Sequence, residues 1–340
     1  MAEIVGEYLD RLCTLEMRPG KGNLPRGVIH CLYDAARSKF GRPLTFDMAQ
    51  ALQEKVAAGD YVFIVTGAGG PPVLPKGEVD GLLGAVALAR ALHFGLGART
   101  VILTEDHVAE PVRAATRAAG LNFATPVDPG MDHAVTFISM PLDRQASQEQ
   151  AITLLREYAP KAVIAIEKLS PNQKGVIHGA TGLNYDDEHT KAHFLFEGAE
   201  REGILTCGIG DGGNEIGFGV IREAVAEIMP AGRVCACPCE GGTAASVSTD
   251  RFVVAAISDW GGYSVAGMLA YLIGNLNVLI DEQDIERMLR ATVDAGALDG
   301  AIGRPTLSDD GVPLKTHQAF ITMLRSIISI AGSTLASPGH

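Results

Sequence analysis

Residues 204–218 read ILTCGIGDGGNEIGF and combine a predicted strand with a glycine-rich acidic turn. A short apolar run at 204–207 ends abruptly in glycine, which is typical of a buried strand that enters a tight turn. The turn places Asp211, Asn214 and Glu215 among glycines. Because glycine lets the backbone approach a ligand closely, these side chains can converge on one small volume. Their hard oxygen atoms suit Mg²⁺, Mn²⁺ or the ammonium group of a substrate.

The same stretch also fits the glycine pattern of a dinucleotide site. Gly208, Gly210 and Gly213 match G-x-G-x-x-G and follow an apolar run, as that motif requires. However, Asp211 lies where a pyrophosphate would need bare amide groups, and a carboxylate beside a phosphate is repulsive. A third interpretation is a plain strand-to-helix turn in which Asp211 caps the helix. The acidic pattern favours a metal or an amine over a nucleotide.

The composition narrows the class of protein. The chain has 340 residues, of which 47% are hydrophobic, 20% are charged and 40 are glycine. That hydrophobic content is enough for a large α/β domain, and the glycines suit many strand-to-helix turns. The net charge of −12 disfavours nucleic acid and other polyanionic partners.

The sequence gives no pattern for export or membrane insertion. The opening residues, MAEIVGEYLDRL, lack the apolar core of a signal peptide, and the most apolar stretch, 263–280, is interrupted by glycine and asparagine. Six unevenly spaced cysteines do not form the pattern of a disulfide scaffold. We therefore expect a cytoplasmic protein without membrane contacts.

Hydrophobic periodicity predicts helices first, and then strands that alternate with helices. Apolar residues at three- and four-residue spacings predict helices at 3–17, 28–39 and 45–58, with a loop at 18–25. Short apolar runs predict strands at 61–66, 100–104, 134–139, 162–166, 204–207 and 252–257. Helical segments lie between these strands and after the last one. This alternation is typical of an α/β fold with a doubly wound, mostly parallel sheet.

The same pattern predicts the domain organisation. We expect residues 1–58 to form a helical N-terminal extension that packs on the main domain or serves an interface between copies in a homo-oligomer. Residues 59–335 are expected to form a single α/β catalytic domain that ends in additional helices.

Acidic residues follow several of the predicted strands. In doubly wound sheets, ligands bind beyond the carboxyl ends of the strands, where the strand order reverses. The loops at those ends carry Glu105, Asp106, Glu167, Asp211, Glu215 and Asp259. Like charges gathered in a cleft repel unless a cation or a proton compensates them. The sequence therefore predicts a divalent metal, Mg²⁺ or Mn²⁺, with Glu167, Asp211 and Glu215 as its ligands.

The segment 66–81, TGAGGPPVLPKGEVDG, combines rigid and permissive residues. It can hold Glu78 and Asp80 at a helix start that faces the site, although acids in that position are also ordinary helix caps. Together with Thr66 and Asn214, they form the predicted substrate-binding set.

Two other groups of metal-type side chains are interpreted as structural. Cys235, Cys237 and Cys239 alternate, so on a strand they would share one face. Three thiolates could bind Zn²⁺, but this spacing differs from that of structural zinc sites, so we interpret them as small buried side chains. His189 and His193 lie four residues apart on a helix predicted at 186–202, and we interpret them as its solvated face.

Four segments resemble the family of D-glutamate cyclase C-terminal domains and their stand-alone bacterial relatives. They are TG…PP…EVDG (66–81), IEK…G (166–175), GIGDGGNEIGFG (208–219) and TDRFVVAAISDWGGY (249–263). The resemblance extends from residue 43 to residue 330. It implies an enzyme that converts D-glutamate to 5-oxo-D-proline and water. It also implies functional carboxylates at Glu78, Asp80, Glu167, Asp211, Glu215 and Asp250.

The sequence differs from that family's pattern at two places. Asp259 stands before Trp-Gly-Gly where many relatives carry asparagine, which adds a negative charge to the site. The loop at 169–175 reads LSPNQKG in place of an arginine-containing run, so Lys168 and Lys174 would supply the positive charge.

These observations give one main hypothesis, a metal-assisted enzyme that forms or opens a lactam of a small amino acid. The metal would polarise the γ-carboxylate of the substrate as a Lewis acid. Asp250 or Asp259 would take the ammonium proton, and Lys168 would anchor a carboxylate. Two alternatives stay open: a nucleotide- or dinucleotide-binding Rossmann-like protein, and a ligand-binding protein without catalytic activity.

Overall fold

Seven parallel strands form the central sheet in the computed structural model, which describes residues 1–18, 24–124 and 133–336. The strands are β1 (Tyr61–Thr66), β2 (Arg99–Glu105), β3 (Asn122–Ala124), β4 (Ala134–Met140), β5 (Ala162–Ile166), β6 (Leu205–Gly210) and β7 (Arg251–Val254). Their order across the sheet is β3-β4-β2-β1-β5-β6-β7, and all neighbouring pairs are parallel. The prediction of an α/β fold with a doubly wound, mostly parallel sheet is confirmed.

Eleven α-helices flank this sheet in the described ranges. They are α1 (Ala2–Cys13), α2 (Val28–Phe40), α3 (Leu44–Lys55), α4 (Leu82–Leu96), α5 (Ala109–Ala118), α6 (Arg144–Tyr158), α7 (His193–Arg201), α8 (Arg222–Ile228), α9 (Ser258–Ile273), α10 (Glu282–Asp294) and α11 (Leu314–Ala336). A short antiparallel hairpin, β8 (Ser308–Asp309) with β9 (Val312–Pro313), precedes the last helix. Residues 19–23 of the predicted loop lie outside the described residues.

The strand order reverses at β1. From β1 the chain moves outward to β2 and then to β3 at the edge of the sheet, and it fills the place between these two strands with β4. It then crosses to the other side of β1 as β5 and continues outward through β6 to β7. The loops that leave β1 and β5 therefore diverge, and a crevice opens between them at the carboxyl edge of the sheet. This is the position at which the sequence places the acidic residues.

The two faces of the sheet are covered by different helices. Val62 and Ile64 of β1 belong to a core shared with α4 and α9, whereas Phe63 and Val65 belong to a second core with α6 and α7. Since successive side chains of a strand point to opposite faces, an unbroken apolar run is needed to bury both sides. The runs in β1 and β5 are of this kind.

The N-terminal helices pack on the first of these cores. Val5 and Leu9 of α1 and Leu52 of α3 are buried in the same cluster as α9. Asp10, which is 1% exposed, accepts hydrogen bonds from the backbone nitrogens of Leu44 (2.7 Å) and Thr45 (3.0 Å) and so joins α1 to α3. The division at residue 58 stays a prediction, but these contacts place the front end of the chain beside the sheet.

Two local predictions were wrong, and one short strand was not predicted. The strand β3 was not predicted, because three residues are too short for a periodic signal. The helix predicted at 186–202 begins only at His193, after a 3₁₀ turn at Asp186–Glu188. His189 and His193 are therefore not a solvated helix face, since they are only 1% and 4% exposed.

Among the described residues, no helix combines the length and apolar character needed to cross a bilayer.

Candidate active site

A cavity of about 350 Å³ lies at the carboxyl edge of the sheet, in the crevice between the loops that follow β1, β5 and β6. This volume is within the range of small-molecule sites. Six residues predicted as substrate or metal ligands line it: Glu78, Asp80, Glu167, Asp211, Asn214 and Glu215. The structure therefore brings together side chains that are up to 137 residues apart, from Glu78 to Glu215.

Asp80, Glu167 and Asp211 form the centre of this site, and we call them the carboxylate cluster. One oxygen from each of the three lies within 4.8 Å of the others, and all three residues are buried. Asp80 lies in the loop after β1, while Glu167 and Asp211 directly follow β5 and β6. The order of the strands places these loops side by side.

The backbone at Glu167 is held in an unusual conformation. Its φ angle is 47°, in the left-handed region that non-glycine residues rarely adopt. The hydroxyl of Ser258 donates to Glu167 Oε2 at 2.6 Å, and a side chain at Gly81 would collide with Glu167. Residues strained in this way concentrate at functional sites, because the surrounding structure must hold them there.

The glycine-rich turn after β6 binds its own carboxylate. The backbone nitrogens of Asp211 and Gly212 donate to Glu215 Oε1 at 3.2 and 2.7 Å. A side chain at Gly208 would collide with the carbonyl oxygen of Ile216, so this glycine allows close packing of the returning chain. The turn therefore uses its amides internally, which disfavours the interpretation as a pyrophosphate loop.

Asp80 is fixed at the N-terminus of α9. Its Oδ1 accepts from the backbone nitrogen of Asp259 at 2.8 Å, and its Oδ2 accepts from that of Ser258 at 3.0 Å. Burial, followed by repulsion from Asp310, raises the pKa of Asp80 to about 7. Folding has thus placed a carboxyl group where it binds a proton near neutral pH.

The other carboxyl groups of the site are perturbed in the same direction. Burial raises the pKa of Glu167 well above its usual value, and the negative charges of Glu215 and Asp211 raise it further. Burial, with repulsion from Asp310 and Asp80, does the same to Glu78. Such a group of acids is stable only if it holds protons or a cation.

The residues present fit a divalent cation. The carboxylate cluster offers three oxygen ligands in one small volume. Glu215 Oε2 beside it is buried and has no hydrogen-bond partner among the described residues. Buried polar atoms are normally paired, and carboxylate oxygens are the ligands that Mg²⁺ and Mn²⁺ prefer. Whether Glu215 acts as a ligand, as the sequence predicts, stays a prediction.

The structure also places Arg18 in the site, a residue that the sequence analysis missed. Its Nη1 lies 2.9 Å from Asp211 Oδ2 and 2.7 Å from Asp310 Oδ2. Its Nη2 is buried and has no hydrogen-bond partner in the described parts of the chain. A single arginine at the start of a loop gives no local signal of function, because only the packing of α1 and α2 on the sheet brings it here.

Two further predicted residues lie behind the site. Asp259 is fully buried, does not line the cavity, and accepts from the backbone nitrogen of Gly84 at 2.6 Å. Thr66 ends β1 and is also fully buried outside the lining. Asp259 supports Asp80 through its backbone, so the structure places it one layer away from any substrate in this cavity.

Asp250 is not brought to the site. It is exposed, and it precedes β7 at the amino edge of the sheet, where its Oδ2 accepts from the backbone nitrogen of Thr206 at 2.9 Å. Because β6 and β7 are parallel, this edge is opposite to the one that carries Asp211. The catalytic role predicted for Asp250 does not agree with this position.

Lys168 is also separated from the cavity. It is fully buried and donates to Glu105 Oε1 at 2.5 Å and to the carbonyl oxygen of Gly67 at 2.9 Å. Burial lowers the pKa of Lys168, and the negative charge of Glu105 opposes this effect. Its ammonium group is thus engaged in a buried ion pair, which does not agree with the predicted role of holding a substrate carboxylate.

A Lys168→Met variant is expected to lower the free energy of unfolding by about 3–5 kcal/mol, because it leaves the Glu105 carboxylate buried without its partner. Adding Glu105→Gln should restore part of the loss. Urea denaturation measures the free energy of unfolding of both variants. Lys161 is exposed, so the control Lys161→Met is expected to stay within about 0.5 kcal/mol of wild type. A fully stable but inactive Lys168→Met protein would instead support the catalytic role.

The chain matches a known protein family over most of its length and one relative over a shorter segment. The family described as "D-glutamate cyclase-like, C-terminal" matches residues 33–325. One curated relative is the mitochondrial D-glutamate cyclase of Homo sapiens, which is 35% identical over 111 residues. That alignment covers 32% of this chain and 17% of the human protein. Arg18 lies before the residues that the family matches.

Proposed function

We propose, because this chain belongs to the D-glutamate cyclase-like, C-terminal family, that it interconverts D-glutamate with 5-oxo-D-proline and water in a metal-dependent reaction. The observation that carries this proposal is the carboxylate cluster on the wall of a cavity of about 350 Å³. A cavity of this size suits a small amino acid.

Asp80, Glu167 and Asp211 would hold the divalent cation, Mg²⁺ or Mn²⁺. When bound, such a cation supplies a Lewis acid that makes the γ-carboxylate of glutamate a better electrophile. The chain's own residues would then bind the substrate in a folded conformation, with its amine close to that carboxylate. Proximity of this kind removes much of the entropic barrier to ring closure.

Ring closure requires proton transfer within the substrate. The nitrogen of D-glutamate changes from an ammonium group to a lactam N–H, so it releases two protons, and both leave with one γ-carboxylate oxygen as water. Glu78 lines the cavity, and its pKa is raised well above the usual range, first by burial and then by its acidic neighbours. It is therefore suited to accept a proton from the amine and to donate one to the departing oxygen.

Arg18 would bind the α-carboxylate of the substrate. It lines the cavity, and its Nη2 is a buried donor without a hydrogen-bond partner in the described ranges. A guanidinium group presents donors in a fixed plane that matches a carboxylate. In this position it would leave the γ-carboxylate directed toward the carboxylate cluster.

Proton NMR tests the proposed reaction directly. The protein is incubated with Mg²⁺ or Mn²⁺ and with D-glutamate, L-glutamate, or either enantiomer of 5-oxoproline, and EDTA stops each sample. We expect lactam signals from D-glutamate, or the reverse change from 5-oxo-D-proline, and no conversion in samples treated with EDTA beforehand. Absence of turnover with all four compounds and both cations would reject the proposal and favour a ligand-binding protein without activity.

A further inference from the structure

A second group of metal-type side chains lies away from the carboxylate cluster. His178, Cys235, Cys237 and Cys239, here called the cysteine–histidine cluster, each offer one atom within 4.8 Å of the others. The three cysteines do not lie on a strand, as the sequence suggested, but on an irregular loop after α8. Cys235 is buried, whereas Cys237 and Cys239 are only half-buried, so the interpretation as small buried side chains fits Cys235 alone.

Four of the six distances within the cluster are close to those of a tetrahedral metal site. Cys235 Sγ lies 3.6 Å from Cys237 Sγ and 3.3 Å from Cys239 Sγ, and His178 Nε2 lies 3.2 and 3.6 Å from the sulfurs of Cys237 and Cys239. In a tetrahedral zinc site with the usual bond lengths to sulfur and nitrogen, the ligand atoms lie about 3.6–3.8 Å from one another. Each of the four distances above is within about half an ångström of this range.

The surroundings orient the four ligand atoms. His178 Nδ1 lies 3.0 Å from the carbonyl oxygen of Val176, which fixes the ring and directs Nε2 toward the sulfurs. The backbone nitrogen of Cys239 donates to Cys237 Sγ, and that of Gly241 donates to Cys239 Sγ, both at 3.4 Å. Donors directed at sulfur stabilise the thiolate, which is the form that binds a metal.

A disulfide does not account for this arrangement. All three cysteines are free. Their sulfurs are at least 3.3 Å apart, whereas a disulfide bond measures about 2.05 Å. A disulfide would also use only two of the three thiols and leave the imidazole without a role.

We propose that His178, Cys235, Cys237 and Cys239 bind a structural zinc ion. Thiolate ligands select zinc over Mg²⁺ and Mn²⁺, so this site is chemically distinct from the carboxylate cluster. Four protein ligands complete the coordination of zinc and leave no open position for a substrate. The ion therefore holds the fold and does not take part in the reaction.

The position of the proposed zinc ion indicates which parts of the chain it would hold together. The loop that contains Gly179, Thr181 and Tyr185 forms one wall of the cavity, and His178 directly precedes it. Asn214 in the glycine-rich turn donates through Nδ2 to the carbonyl oxygen of His178 at 2.9 Å. Zinc would fasten this wall to the cysteine loop, and through Asn214 it would position the turn that carries Asp211.

Elemental analysis of the untagged full chain, purified under reducing conditions, tests the proposal. We expect about one zinc ion per chain. Cys237→Ser and Cys239→Ser should each lose most of this zinc, while the exposed Cys31→Ser control and Asp211→Asn should keep it. Retention of zinc by both cluster variants would overturn the assignment.

Cobalt replacement keeps the test independent of whether the variants fold. Wild-type protein freed of zinc and loaded with Co²⁺ should show intense visible bands of tetrahedral coordination and a near-ultraviolet thiolate-to-cobalt band. Removing zinc should also lower the melting temperature, and zinc alone should restore it. Zinc-free protein with freely reactive cluster thiols, no cobalt bands and an unchanged melting temperature would reject the site.

Discussion

An Asp211→Asn variant is expected to lose D-glutamate turnover by about a thousandfold or more. Metal-assisted polarisation of a carboxylate supplies several kcal/mol, and each 1.4 kcal/mol corresponds to a factor of ten in rate. Asp211 is one of the three residues whose oxygens converge in the carboxylate cluster. Replacing its charged oxygen with an amide removes a ligand and one negative charge, so bound Mn²⁺ should fall together with the rate.

The variant should still fold. Burial raises the pKa of Asp211 well above its usual value, and the positive charge of Arg18 opposes this effect, so without a bound cation a neutral amide avoids part of the cost of burying a charge. Asparagine has nearly the same shape, and Arg18 keeps its second partner, Asp310, at 2.7 Å. We expect a melting temperature close to that of wild type, measured by circular dichroism.

Asp250→Asn is the matched control. It makes the same chemical change on an exposed residue at the opposite edge of the sheet, and we expect Mn²⁺ binding and turnover to remain close to wild type. Calorimetric titration gives the Mn²⁺ affinity of Asp211→Asn and Asp250→Asn, and initial rates with D-glutamate give their turnover. Full Mn²⁺ binding by folded Asp211→Asn, or loss of turnover in Asp250→Asn alone, would contradict this description of the site.

An Arg18→Met variant is expected to separate metal binding from turnover. In the wild-type protein, Arg18 Nη1 pairs with Asp211. Removing the guanidinium group frees an oxygen of the carboxylate cluster, so the affinity for Mn²⁺ should be equal or higher. Loss of a charge-assisted hydrogen bond to the substrate costs about 1.5–3 kcal/mol, which predicts a decrease in kcat/KM of about 10- to 150-fold.

The same variant should also affect stability in a metal-dependent way. Without Arg18, Asp211 and Asp310 keep their burial but lose the cation that offsets it, so the melting temperature in EDTA should fall. Mn²⁺ should recover much of this loss, because it binds only the folded protein. The exposed Arg11→Met in the same N-terminal segment is the control and should change neither property.

Two results would argue against this role for Arg18. If Arg18→Met weakened Mn²⁺ binding as strongly as Asp211→Asn does, Arg18 would be organising the metal ligands. If kcat/KM stayed within about twofold of wild type, the guanidinium would not bind substrate, since even the weaker hydrogen bonds to charged groups contribute more than that.

The fold and the edge of the sheet that carries the acidic residues were both readable from the sequence. Apolar runs such as 61–66 and 162–166 predicted strands with the observed bounds, because a strand buried on both faces needs an unbroken apolar run. Glu167 directly follows such a run, and Asp211 follows the run at 204–207 after three further residues. Parallel strands present their carboxyl ends at one edge, so the sequence predicted which edge carries these acids, whereas the strand order decided that Glu167 and Asp211 lie side by side.

The position of Asp250 was readable from the same signal. Asp250 precedes the strand predicted at 252–257, so it belongs to the amino edge of a parallel sheet. In contrast, nothing local distinguished Lys168 from a residue of the cavity, since Glu167 beside it does line the site and only the position of Glu105 decides which way the lysine turns.

By itself, the sequence determined the alternation of strands and helices, the edge of the sheet that carries the acids, and the family. Only the tertiary structure showed that Arg18 pairs with Asp211, that Lys168 pairs with Glu105, and that His178 meets the three cysteines. The reason is physical. Strand ends are encoded in a local hydrophobic period, whereas contacts between distant loops depend on the packing of the elements that carry them and leave no period in the chain.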